Sequence, residues 1–449
     1  MNDKPGPEDS SDDQNPFKGT PFEAMFGMFG GAPGGAGGPG GQMPDLNQIF
    51  GQIQSLMQPY DGPLNWEAAE DLARKTVAQQ PDPSPTQREK DAVADAVRLA
   101  DVWLDGTTSF PSGVRTATAW SRAEWLVNTF EVWKLIITPV AESSVNSVNS
   151  ESLPEEVRAM AGPMMGFLGK AVGALMANQA GTGLGTLAGE VLSGTAIGVP
   201  LTAPGRAALI PANVPAFAEG LGVSEDDVLL FLALREAAHL RLFAAVPWLR
   251  DHVIGAVTEH AQGVELDMSN IQERMQDQLR GINPQDPASM QQMLEGDLFA
   301  IPESPRQKAA KERLEVVLAL VEGWVDELVT QATEERMPSA AKLQEAWRRR
   351  RALGGPAEQT FATLVGLEMR PRRLRDAATL WGSLRTRQGI EARDGVWMSP
   401  HLLPTAADLD DPLGFREGAE APDELSEVDF DAELRKLLDG GSGDSDSQE

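Results

Sequence analysis

A mainly α-helical body is what the sequence predicts, on three observations: eight segments space their apolar residues at three and four, β-branched runs are scarce, and strand signals are sparse. In chain order the helical segments are residues 64–80, 86–103, 119–140, 154–176, 225–246, 251–262, 306–333 and 340–353. The best strand candidate is a small edge element, residues 207–214, just before the fifth helix. Pro211 restricts it to the rim of a sheet, because proline donates no ladder hydrogen bond. No period of about 20 to 50 residues recurs, so a solenoid is not expected.

The composition excludes several chemistries. A chain of 449 residues can bury a large core. It has no cysteine, which removes disulfides, zinc ribbons, iron–sulfur clusters and cysteine nucleophiles. Its 67 acidic residues against 38 basic ones give a formal net charge of −29, a field that repels a phosphate backbone, so nucleic acid is not an expected partner. Four histidines, His239, His252, His260 and His401, are the only imidazole ligands for a transition metal. The first residues carry acids and prolines instead of the basic and apolar stretches of an export signal, so a cytoplasmic location is expected.

Charge and glycine content divide the chain in three. Residues 1–45, with an unbroken run of Gly, Ala and Pro from Gly30 to Gly41, read as a disordered acidic leader. Residues 46–417 carry the helical periodicity, and residues 418–449 read as a mobile acidic tail with a short helix around 424–438. Between Trp347 and Ile390 the balance reverses, with 10 arginines against 3 acids. That segment is either a solvated helix face or the receiver of an acidic partner, the chain's own tail included.

Residues 163–201 are apolar and glycine-rich, but Lys170, Asn178, Gln179 and Glu190 interrupt them, and no membrane span is expected. Gly181, Gly185 and Gly189 form a four-residue ladder that lets two helices approach closely. Gly183, Gly185 and Ala188 graze a dinucleotide-binding fingerprint, yet no hydrophobic strand precedes them.

The informative stretch is residues 224–243. Ser224 fits an N-cap, and Glu225, Asp226 and Asp227 suit the positive end of the helix behind it. Val228, Phe231, Leu232 and Leu242 predict an apolar face from which Arg235 and His239, one helical turn apart, also project. An unpaired buried charge is costly, so acids from elsewhere are expected to meet them. Glu322 and Asp326, again one turn apart among apolar neighbours, are the predicted suppliers.

Arg235–Glu236–Ala237–Ala238–His239 differs at one position from His-Glu-x-x-His, and Glu322–Gly323–Trp324–Val325–Asp326 fits a Glu-x-x-x-Asp second half. With the body helices and the ending at residues 397–408, the chain resembles an actinobacterial family of zincin-like metallopeptidases, from about Leu64 to Leu413. The resemblance implies a zinc-dependent hydrolase of peptide or amide bonds, with a peptide or protein substrate. It implies His239 and Glu322 as zinc ligands, Glu236 as the general base on a metal-bound water, and Asp326 as the acid that orients a ligand histidine.

Arg235 stands where that pattern has its first histidine. A guanidinium offers no lone pair to a metal and sets a fixed positive charge beside it. His239 and Glu322 alone are too few for a catalytic zinc, unless His252 or His260 on the next helix supplies a ligand. Two readings stand side by side. One is a zinc-dependent hydrolase with a degenerate metal site, drawing an oxyanion donor from Arg241, Arg206 or a spare histidine. The other is a catalytically inactive, metal-free peptide-binding or scaffold module in which Arg235 pairs with Glu322 and Asp326, and a peptide lies against the edge 209–214. The oligomeric state is open.

Overall fold

A computed structural model describes residues 60–148, 155–262, 305–352, 360 and 371–416; the predicted leader, the acidic tail and its short helix lie outside them. The elements are α1 (Trp66–Val77), α2 (Gln87–Leu104), β1 (Thr116–Ala119), α3 (Arg122–Val148), α4 (Glu155–Glu190), β2 (Arg206–Leu209) and the short α5 (Val214–Ala218). They continue with α6 (Glu225–Ala245), α7 (Pro247–Gln262), α8 (Pro305–Thr333), α9 (Ala340–Ala352), α10 (Pro371–Gly395) and the short α11 (Ala406–Asp410). The mainly helical body expected from apolar spacing is therefore what folds.

Helix starts follow local chemistry. Asn65 accepts from the amide of Ala68, Thr86 and Glu89 form a reciprocal capping box on α2, and Ser224 accepts from the amide of Asp227 at the head of α6. The segment predicted to end at Met176 continues as α4 to Glu190, straight through the glycine ladder and the grazing dinucleotide motif. A Cβ added at Gly181 would lie 2.6 Å from the carbonyl oxygen of Ala69, and one at Gly185 would meet Thr76 and the Ala73 carbonyl. The missing side chains are thus what lets α1 lie against α4. α10 is not among the predicted helices, and Gly389 kinks it with φ +89°.

β1 and β2 run parallel, Thr116 opposite Arg206 and Ala119 opposite Leu209. On the other side of β2, Ser193 bridges antiparallel to Leu209, flanked by Gly194 N–H to Ala208 O at 2.9 Å and Ile210 N–H to Leu192 O at 3.0 Å. The expected small edge strand before α6 is present in this two-stranded sheet, but it is shorter than 207–214, an isolated bridge to Ser193 lies on its outer flank, and Pro211 opens a 3₁₀ turn through Asn213 instead of extending it.

α6 is the central helix. It touches α2, α8, α7, α9 and β2, and every residue from Phe231 to Leu242 is buried. The sequence predicts one apolar face; the helix is enclosed all round, so its polar residues are enclosed too. Trp125, Trp133, Trp324, Trp381 and Trp397 fill the core. Among the described residues no helix is long and apolar enough to cross a membrane.

Candidate functional site

The crossing of α6 and α8 brings Arg235, His239, Glu322 and Asp326 together. Arg235 Nη2 donates to Glu322 Oε2 at 2.6 Å, and Nη1 lies 3.3 Å from Asp326 Oδ1. His239 Nε2 is 3.0 Å from Glu322 Oε1, while its Nδ1 is 2.8 Å from the carbonyl oxygen of Arg235. Both ring nitrogens of His239 therefore face groups that accept hydrogen bonds.

A residue the sequence reading missed completes the cluster. Arg351, at the end of α9, reaches Glu322 with Nη1 to Oε2 at 3.0 Å and Nη2 to Oε1 at 3.2 Å, and also donates to the Ala196 carbonyl at 2.7 Å. Trp347, one turn earlier, lies 4.6 Å beneath the Arg235 guanidinium and 5.5 Å from that of Arg351, a shared cation–π platform. Arg348 holds the outer oxygen of Asp326 at 2.6 Å. The signal for Arg351 was its position four residues after Trp347 in an arginine run, since that spacing puts the two on one face.

Electrostatics follow burial and charge. Burial opposes ionisation of Glu322, but Arg351, His239 and Arg235 outweigh it and hold its carboxyl far below the usual carboxylate range. Desolvation lowers the affinity of Arg235 for its proton, Arg351 adding to the effect while Glu322 and Asp326 oppose it. Removing one member of such a network leaves an uncompensated buried charge.

Glu236 has turned elsewhere. Its Oε2 accepts from the amide of Thr195 at 3.0 Å and the hydroxyl of Thr195 at 2.6 Å, its Oε1 from the amide of Ala208 at 3.2 Å, and Ser193 adds a further hydrogen bond. The carboxylate thus caps the short ladder between β2 and residues 192–194 at the point where the two chains part. It is fully buried, and desolvation pushes its carboxyl above the usual value despite these donors. The following loop continues over the cluster: Gly198 has φ +77°, and a Cβ there would lie 2.8 Å from Glu322 Oε1.

The reserve candidates are engaged at other places. Arg241 is tied to Asp101, Asp105 and the Phe110 carbonyl, and Arg206 donates to Asn128. His252 packs edge-on against Trp248, and burial lowers its proton affinity; His401 is exposed in the 3₁₀ turn after Ser399. Among the described residues no group of three His, Asp or Glu side chains is arranged to hold a metal.

In this helical body a histidine on α6 meets a glutamate from the later helix α8, beside a short parallel sheet. The model of the zincin-like metallopeptidase family matches residues 64–415, and the chain belongs to that family. A crystal structure from Chloroflexus aurantiacus, provisionally named a hydrolase with a novel fold, is similar over 80% of this chain and 100% of its own, with TM-score 0.53 and 19% identity. At that identity the likeness concerns the fold alone. No curated protein matches the chain.

Zinc is the group this family implies, and the described residues do not fit it. Both oxygens of Glu322 accept from guanidinium groups, both nitrogens of His239 are bonded, and the place of the first histidine carries Arg235, whose nitrogens have no lone pair to give.

Proposed function

We propose that this chain is a zincin-like protein whose metal position is filled by its own cations, and that it acts as a metal-free binding or scaffold module. The observation that carries this reading is the bracket around Glu322: Arg235 and Arg351, with His239 bonded beside them, supply the positive charge that a metal ion supplies in a working site. In this reading Arg235 and Arg351 are structural cations, Asp326 is held between Arg235 and Arg348, and Glu236 locks the sheet instead of activating water. A peptide would not add to β2 at 209–214, because residues 192–194 already occupy that flank.

The hydrolase reading draws support from the family and from the name given to the Chloroflexus aurantiacus protein. Elemental analysis of the full chain, purified without chelator, separates the two. The module reading expects no stoichiometric metal. About one zinc per chain, lost in His239→Ala, overturns it in favour of the enzyme. Calorimetric zinc titration adds a directional check: Arg235→His alone gains little affinity because Arg351 still covers Glu322, whereas Arg235→His with Arg351→Leu gains measurably more.

A further inference from the structure

An open cleft of about 590 Å³ lies between α8 and α10, on the outer side of Asp326. Arg348, Arg375 and Arg387 line it, with the hydroxyls of Thr379 and Ser383 and the side chain of Leu413. Its acids are already engaged: Asp326 by Arg235 and Arg348, Glu327 by Arg385 at 2.7 Å and Gln331 at 2.9 Å. Arg348 is spent on Asp326 and Arg387 on the carbonyls of Phe415 and Arg416, so what the cleft presents to an incoming group is chiefly the exposed guanidinium of Arg375 beside the hydroxyls of Thr379 and Ser383, a chemistry that receives a carboxylate.

Two facts say which carboxylates. The described chain ends at this rim, where Arg387 donates to the carbonyl of Phe415 at 2.7 Å and Gln388 to that of Arg416 at 3.2 Å. Residues 417–449 then begin with Glu417 and carry 12 acids against 2 bases. We propose that the α8–α10 cleft is a docking site for acidic peptide and that its resident occupant is the chain's own segment 417–449. Tethering at the rim gives this segment an effective concentration in the millimolar range, so carboxylate–arginine pairs of modest individual strength keep it seated. The attraction is between exposed charges and falls with salt.

Hydrogen exchange of the full chain, read by mass spectrometry across residues 417–449, tests this. At low salt some stretch of the segment should exchange roughly tenfold more slowly than the same sequence as a free peptide, the slowing that about 90% occupancy produces. Arg375→Glu and, separately, Thr379→Glu change exposed cleft positions outside the buried cluster; each should abolish the slowing at unchanged circular dichroism, and high salt should do the same. Exchange at free-peptide rates in the native chain, or slowing that survives both substitutions, overturns the proposal. Slowing that grows with protein concentration also overturns it, assigning the cleft to the segment of a second copy.

Discussion

Arg351 reaches Glu322 from the last turn of α9, and without it one buried carboxylate would lose a hydrogen-bond donor and a second ionic contact. Replacement of either ionic partner leaves a charge stranded where water cannot follow, so Arg351→Met should cost about 3–5 kcal/mol, read as a lowered urea midpoint at neutral pH. Combining it with Glu322→Gln should cost less than the two single losses summed, because the stranded charge is gone. Arg235, His239, Glu322 and Asp326 were legible in the sequence because each pair stands one turn apart in otherwise apolar surroundings. Arg351 was not, since four consecutive arginines point round most of a helix and only tertiary packing decides which one turns in. The partners of Glu236 were hidden for a different reason: they come from loop residues 193 and 195 and from a backbone amide, which no side-chain pattern announces.

The pairing of α1 with α4 depends on the absence of side chains. At Gly181 a methyl group would press on the backbone oxygen of Ala69, which cannot rotate away, while at Gly189 it would meet nothing within 4 Å. Gly181→Ala should therefore destabilise by about 1–3 kcal/mol, and Gly189→Ala should be neutral or stabilising by up to about 1 kcal/mol through helix propensity. Thermal unfolding of the two variants in parallel checks the contrast. The glycine ladder was readable as a contact surface, yet the same glycines weaken helix propensity and broke the predicted helix at residue 176. α10 carries its own signal, Leu374, Ala377, Trp381 and Leu384 on one face, but arginines crowd it and turn attention to charge instead of period. The edge strand was legible but its end was not, because Pro211 starts a 3₁₀ turn and so stops the strand at Leu209.

Over the whole molecule, two buried carboxyls make stability depend on pH in opposite senses. The folded value of Glu322 lies below its ordinary 4.5, so its contribution is present above that pH and is lost as pH falls below it. The folded value of Glu236 lies above its ordinary 4.5, so protonation favours the fold and that contribution weakens as pH rises past this point. Urea midpoints should thus decline on acidification below about pH 4.5, and the decline should be shallower in Glu322→Gln; an unchanged slope would mean that another group governs the acid limb. The legible part of the molecule is what local spacing dictates, helices and one-turn pairs, and the illegible part is what distant segments decide on contact. β1 and β2 belong to the second kind, joined only after residues 120–205 have travelled out through α3 and α4 and back. Closing so long an excursion for four residues of ladder is entropically late work, which makes this sheet a clasp fastened at the end of assembly and not the seed from which assembly grows.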